Sequence, residues 1–258
     1  MSKHTVTAIV PAYNEEKTVS TVLEVILASI QVDEVICIND GSTDNTLKVI
    51  NKFKPKIKVI DIPENRGKGN AMAEGIGLAK GEILLFLDGD LLTLDNLHID
   101  SLLKPLLDGA ARATIGNMVN KLGFSIFSSI SGQRAYFKSD LLPFLNEISK
   151  TRYGVEVFMN SIVPKEKVQK IVLNDLETLF KYQKHNNLNA IDEYKNEILE
   201  IAKVLYKKNK IKKKSLQKLN EILTISNTTL IWRKLNEIPD IEFKELVEKY
   251  ILRHLRDL

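Results

Sequence analysis

Apolar residues along the first ninety positions gather into short runs separated by longer amphipathic stretches. Residues 5–10, 35–38, 58–60 and 83–87 are such runs, rich in valine, isoleucine and leucine. Near-continuous apolar runs of this length predict strands buried on both faces, as in a parallel sheet. The first stops at Pro11 and the second at Asn39-Asp40-Gly41. Between the runs, Val19, Val22, Leu23, Ile26, Leu27 and Ile30 recur at helical spacing, and residues 46–53 continue from a Ser-Thr-Asp cap signal. Strand and helix alternate through residue 90, which predicts a doubly wound α/β domain with a mostly parallel, Rossmann-like sheet. After about residue 186 the pattern becomes purely helical. Ile191, Tyr194, Ile198, Ala202 and Leu205 fit one helix face, and Phe243, Val247, Tyr250, Ile251 and Leu255 fit another. The expectation is an α/β domain over residues 1–186 and an extension of two to four amphipathic helices over residues 187–258.

Composition sharpens this division. The chain has 258 residues, 44% of them hydrophobic, which excludes wholesale disorder. All 12 glycines lie between Gly41 and Gly154, so turns and close backbone approaches belong to the first part. Residues 1–160 carry 17 basic and 19 acidic side chains, whereas residues 161–258 carry 20 and 14. Seven lysines fall within residues 203–214. A lysine run is ordinarily a solvated face; a peripheral contact with a membrane or another polyanion is the functional alternative. No aromatics interleave with these lysines as they do in single-stranded nucleic-acid grooves, so nucleic acid is not an expected partner. The single cysteine, Cys37, excludes an intramolecular disulfide framework and a cysteine-rich zinc site. No apolar run approaches the ~20 residues of a membrane helix, and the first residues lack a signal-peptide pattern. A soluble cytoplasmic protein is expected.

The polar residues cluster where the predicted strands end. The first strand runs into Pro11-Ala12-Tyr13-Asn14-Glu15-Glu16 and the second into Asn39-Asp40-Gly41-Ser42-Thr43-Asp44. The third is followed by Glu64-Asn65-Arg66-Gly67-Lys68-Gly69-Asn70, and the fourth by Asp88-Gly89-Asp90. Ligands of open α/β sheets lie beyond the carboxyl ends of the strands. Any one cluster could be a helix start with its caps; four in one region point to a site.

The motifs VPAYNEE, NDGSTDNT, NRGKGNAMAEG and FLDGD, in this order and spacing, resemble the nucleotide-sugar domain of family 2 glycosyltransferases, which has the GT-A fold. The resemblance covers roughly residues 5–160. Further on, SGQRAYF and YGVEVFMN are similar to segments of polyprenyl-phosphate glycosyltransferases and of glucosyl-3-phosphoglycerate synthases. The resemblance implies that Pro11, Tyr13 and Glu15 form a nucleoside-binding loop and that Asp40 contacts the base. A carboxylate at that strand end can accept a hydrogen bond from a pyrimidine N–H. Glu16 reads alternatively as a first-turn acid favoured by the helix dipole, and Ser42, Thr43 and Asp44 read as caps. Arg66 and Lys68 flank glycines at a helix start, where backbone N–H groups and basic side chains suit phosphate. No Walker sequence is present.

Asp88 and Asp90 form a D-x-D pair able to share one hard cation, Mg²⁺ or Mn²⁺, with substrate phosphates completing its shell. The metal would offset charge on the leaving diphosphate. Family members often add a histidine as third ligand. The corresponding stretch, residues 173–178, has none; Glu177 and His185 stand nearby, and a surface role suits His185 better. Gly132, Gln133 and Arg134 open SGQRAYF, where a basic side chain could meet an anionic acceptor or the diphosphate. Glu156 is the candidate general base for a hydroxyl acceptor; for a phosphate acceptor, already nucleophilic, it would only position groups. Its alternative is a plain helix-start acid.

These readings converge on a metal-dependent glycosyltransferase that takes a UDP-sugar, with a GDP-sugar as second choice. The acceptor is a polyprenyl phosphate, a small phosphorylated acid or a glycan. Inversion is the family expectation, and the resemblance to glucosyl-3-phosphoglycerate synthases leaves retention open. A nonenzymatic nucleotide-sugar-binding scaffold is the rival from another class. A nucleotidyltransferase fits less well, because the first strand lacks its glycine-rich signature. The helical extension is left to acceptor access, docking or homodimer formation.

Overall fold

The computed structural model describes residues 4–119, 125–126, 131–152, 154–179, 187–225, 228–240, 243–244 and 247. The chain divides into two compact units, Met1–Leu179 and Phe180–Leu258. The first is built on eight strands: β1 (Val6–Ala12), β2 (Glu34–Asp40), β3 (Lys58–Ile62), β4 (Ile83–Phe86), β5 (Ala113–Val119), β6 (Ser125–Ile126), β7 (Arg134–Phe137) and β8 (Val168–Asn174). Its helices are α1 (Val19–Ala28), α2 (Thr46–Asn51), α3 (Lys68–Leu78), α4 (Asn96–Leu107), α5 (Lys138–Leu141), α6 (Leu145–Ser149) and α7 (Val155–Met159).

The strands join in the order β3-β2-β1-β4-β7-β5-β6, with β8 also on β5. Strands β1 to β4 are mutually parallel, and β8 runs parallel to β5. Strand β7 is antiparallel to both β4 and β5, pairing Arg134 with Phe86 and with Ile115. Its first residue therefore stands beside the carboxyl end of β4. This is the mixed, mostly parallel sheet that the alternating pattern predicted.

Successive side chains of a strand point to opposite faces, and both faces of the sheet are apolar. Val6, Ala8 and Val10 join Val22, Leu23 and Ile26 of α1 and Leu102 and Leu106 of α4. Ile9, Ile36, Ile38 and Phe86 join Met72 and Ile76 of α3 and Ile148, Val155 and Met159 from α6 and α7. Helix α1 has no side-chain cap but buries Val19, Val22, Leu23 and Ile26. At about 1.5–3 kcal/mol for each buried side chain, packing outweighs the ~1 kcal/mol of a missing cap.

Three local expectations are corrected. Strand β1 continues through Pro11, which pairs with Ile38, because proline removes one donor without breaking extended backbone. Helix α2 ends at Asn51 rather than Phe53. Ile30 lies beyond α1 and is 88% exposed, because Ser29 turns into extended conformation and ends the helix face.

Cys37, in β2, is fully buried, and burial pushes its thiol pKa far up. Since the thiolate is the reactive form, an aromatic disulfide reagent should leave Cys37 unmodified in the folded protein. It should titrate one thiol per chain in denaturant. Rapid labelling under native conditions would mean that β2 opens.

The second unit contains α8 (Asn187–Lys207), α9 (Lys213–Leu223) and α10 (Thr228–Leu235). Ile198 and Ala202 are buried on α8 as the helical spacing predicted, and Phe243 and Val247 are buried too. Tyr250, Ile251 and Leu255 lie outside the described residues. Lys218 pairs with Glu237 at 2.6 Å and Glu221 at 3.2 Å, and the Ser215 hydroxyl donates to Asp240. No described helix is long and apolar enough to cross a membrane.

Candidate active site

The loops after β1 and β2 interlock. Asn14, in left-handed conformation at φ 56°, donates its N–H to Ser42 Oγ (3.0 Å) and accepts the Thr43 N–H on Oδ1 (2.8 Å). Glu15 N–H donates to Thr46 Oγ1 (2.7 Å), and Asp44 accepts from the Thr46 N–H (2.9 Å). Ser42, Thr43 and Asp44 thus fix loop geometry rather than cap α2, whose N-cap residue is Asn45 without a side-chain cap bond. Glu16 is not in the first turn of α1, which begins at Val19; its Oε2 accepts from Asn45 N and Nδ2, each at 2.9 Å. Thr18 Oγ1 reaches across to the carbonyl of Gly89 (2.8 Å) and so ties the first loop to the Asp88-Gly89-Asp90 turn. Pro11 lies within β1, and Tyr13 is half-buried just beyond it.

Asp40 is 3% exposed and gives one carboxylate oxygen each to the N–H groups of Arg66 and Gly67, both at 2.9 Å. The Gly69 N–H is taken by the Arg152 carbonyl (3.1 Å). The sequence reading is corrected here. The backbone donors at the start of α3, read as a phosphate cradle, already hold an internal anion where the helix dipole favours one. Asp40 therefore acts first on the 64–67 loop, and the Arg66 side chain is exposed. Gly67 adopts φ 95°, a conformation that favours glycine, and it directs Lys68 inward.

Lys68 is the hub. Its Nζ lies 2.6 Å from Asp88 Oδ1 and 2.6 Å from Glu156 Oε1, joining the D-x-D turn to α7. Burial pulls its pKa down, but Asp88 and Glu156 together outweigh burial and hold the ammonium protonated. Gln133 Nε2 donates to Asp88 Oδ2 (3.0 Å), and Gln133 Oε1 accepts from Ser131 Oγ (2.8 Å). Gln133 thus serves Asp88 and does not stand open to an acceptor. Gly132 lies so near that a Cβ there would sit 2.1 Å from Asp88 Oδ2. Gly132→Ala should therefore push Asp88 off Lys68 and Gln133 at a cost of about 1–3 kcal/mol, lowering Tm. Thermal melts of the two proteins check this; an unchanged Tm would show that the loop moves aside freely.

Asp90 follows at the same strand end. Its carbonyl accepts the Leu179 N–H (2.9 Å), and Leu92 N–H donates to the Glu177 carbonyl (2.8 Å). The stretch where a third ligand was sought therefore does run beside the D-x-D turn. Glu177 is exposed, His185 lies outside the described residues, and no group of three His, Cys, Asp or Glu residues forms among the described ones. Two carboxylates one residue apart at a strand end fit a hard cation whose other ligands are substrate oxygens.

Arg134 departs most from its sequence assignment. It is 0% exposed and points to the α3 and α7 side of the sheet, where its donors meet internal acceptors, so it cannot meet an acceptor substrate or a diphosphate. Glu156 is 5% exposed and belongs to α7, which follows Gly154; Tyr153 lies outside the described residues. Sequence reasoning found Lys68, Asp88, Gln133 and Glu156 separately but missed their mutual contacts. Two acids and one lysine, each next to or near a glycine in a strand-end or helix-start motif, were the available signal.

The parallel core with its antiparallel β7, and a D-x-D turn at the carboxyl end of β4, define a GT-A fold. The chain belongs to glycosyl transferase family 2, whose profile matches residues 7–156. It is 34% identical over 96 residues to a dolichyl-phosphate beta-glucosyltransferase of Trichomonas vaginalis, covering 33% of this chain and 28% of that one. It is 35% identical over 113 residues to the glucosyl-3-phosphoglycerate synthase of Mycolicibacterium smegmatis, covering 40% and 36%. The chain thus spans about a third of the length of these curated relatives. The fold is shared with glucosyl-3-phosphoglycerate synthase from Mycobacterium tuberculosis, solved with Mn²⁺, UDP-glucose and glycerol 3-phosphate. That match has a TM-score of 0.61 at 21% identity and covers 79% of each chain.

Proposed function

We propose that this chain transfers a sugar from a UDP-sugar to an anionic acceptor, a polyprenyl phosphate or a small phosphorylated acid, with Mg²⁺ or Mn²⁺ held by Asp88 and Asp90. The observation that carries this reading is the convergence of Asp88, Lys68 and Glu156 beyond the parallel strands, with Asp90 two positions after Asp88, within the span matched by the family. The bound cation would neutralise charge on the diphosphate as its bond to the anomeric carbon breaks. Lys68 adds a fixed positive charge beside the same carboxylates. Pro11 in β1, with Tyr13 and Glu15 in the 13–18 loop that interlocks with the 42–46 loop, supplies the nucleoside wall. Asp40 and Arg66 set the 64–67 loop against it. Glu156 orients the sugar or acceptor and, for a hydroxyl acceptor, takes its proton. Inversion is the stereochemical proposal; an α-glucoside product from α-linked UDP-glucose would establish retention instead.

The test is a panel of nucleotide sugars with Mn²⁺ or Mg²⁺, reading nucleoside diphosphate release with and without polyprenyl phosphate or 3-phosphoglycerate. UDP-glucose should be turned over, faster with one of the acceptors. No release from any donor sinks the proposal.

The donor site lies within residues 1–179, and we assign residues 187–258 to docking, acceptor access or self-association. At the end of α8, the following turn and the start of α9, the exposed lysines Lys207, Lys210, Lys213 and Lys214 lie in a stretch, residues 201–220, that holds no acidic residue. At ~1 kcal/mol for each lysine near an anionic surface, such a crest supports peripheral membrane contact. Binding to vesicles containing phosphatidylglycerol, lost on changing these four lysines to Gln, checks it; equal binding by the variant would refute it.

A further inference from the structure

Arg134 carries a full positive charge into the interior, yet its described partners are all neutral. Nε donates to the Ser131 carbonyl at 2.9 Å, and Nη2 donates to the same oxygen. Nη1 donates to the Glu156 carbonyl at 3.3 Å, to Asn160 Oδ1 at 3.1 Å and to the Tyr136 hydroxyl at 3.4 Å. A buried cation left without a carboxylate is costly unless every donor is placed, so the arrangement calls for a reason beyond filling space.

The two backbone oxygens it grips supply that reason. Ser131 precedes Gly132 and Gln133, the pair that presses on Asp88. Glu156 is the residue that meets Lys68. Helix α7 has only five residues and no side-chain cap, and so short a helix has no independent stability. Its place depends on what holds its backbone. We infer that Arg134 is a positioning residue, a latch below the sheet that fixes the Ser131–Gln133 loop and α7 together, so that Asp88 and Glu156 meet Lys68 at one spacing. A guanidinium spreads its donors over three nitrogens in a rigid planar fork and so grips both oxygens in fixed directions; an ammonium, a compact charge with rotatable donors on one nitrogen, would not hold the two backbone segments at one geometry.

The kinetic part of this inference rests on the proposed transfer reaction, so its test has two arms. In the first, hydrogen exchange followed by mass spectrometry compares the parent with Arg134→Lys and Asn160→Ala. Amides of residues 154–162 and 131–137 should exchange faster in Arg134→Lys, and those of residues 154–162 less strongly so in Asn160→Ala, while those of α1 and α4 stay as in the parent. Uniform acceleration across the protein, or no change in the two segments, would overturn the latch, and this arm stands even if no nucleotide sugar is turned over. In the second, UDP release from UDP-glucose with Mn²⁺ is measured in a double-mutant cycle with Glu156→Gln. Arg134→Lys should lower kcat by about 10- to 100-fold with the donor KM within about threefold, as displacement of a site group by an ångström does. In the Glu156→Gln background the same change should cost less than about threefold. An equal loss in both backgrounds would mean that Arg134 does not act through Glu156.

Discussion

Asp90→Asn should abolish the metal dependence of UDP binding while leaving the fold intact. The parent should bind UDP at least about 100-fold more tightly with Mn²⁺ than with EDTA, a difference of ~2.7 kcal/mol. The variant should bind it alike in both. The side chain changes charge without changing shape, and one bond of Asp90, its carbonyl to the Leu179 N–H at 2.9 Å, does not involve the carboxylate. Asp88 already faces Lys68 and Gln133 through its two oxygens. The carboxylate charge that a cation gains from this turn therefore depends heavily on Asp90. Calorimetric titration of both proteins decides the matter: a variant that keeps the parent's metal enhancement removes Asp90 from the metal site.

Lys68→Met should have the largest effect on stability. It leaves Asp88 and Glu156 facing one another without the ammonium that lies 2.6 Å from each. Removing one member of a largely buried ionic group costs about 3 kcal/mol, here with Lys68 23% exposed. For a unit of this size that corresponds to a fall in Tm of roughly 6–12 °C. The sign with pH follows from the raised pKa of Lys68. Its contribution is complete below its ordinary value of 10.5 and is lost only as pH rises through the higher folded value. The deficit of the variant should accordingly be level across neutral pH and shrink only under strong alkali. Melting curves at several pH values check both statements. A deficit that vanished at pH 8 would mean that the lysine is not the paired cation described.

The strands and their order of appearance were legible because burial on both faces leaves no polar alternation to hide them: Val35, Ile36, Cys37 and Ile38 are all buried. The strand-end clusters were legible for a related reason, since polar residues that interrupt apolar runs have few places to go except the sheet edge. The latch was not legible. Arg134 stands in a polar-looking segment, and a basic residue after Gly132-Gln133 reads as an anion contact until the chain is folded. Nothing in its neighbours along the sequence shows that Glu156 and Asn160 will lie across from it. The same holds for Asp40, whose carboxylate found the Arg66 and Gly67 amides 26 and 27 residues away.

What the sequence by itself determined was the class of sheet, the helical character of residues 187–235 as far as they are described and the four polar loops at the strand ends. Periodicity and turn residues act locally, and local patterns survive in one dimension. What only the tertiary structure decided was the use of each charged side chain. Charge energies depend on distance and burial, which the fold sets. It placed Lys68 between two carboxylates, turned Arg134 beneath the sheet and gave Asp40 to a helix start, although the sequence offers all three as surface groups open to a ligand.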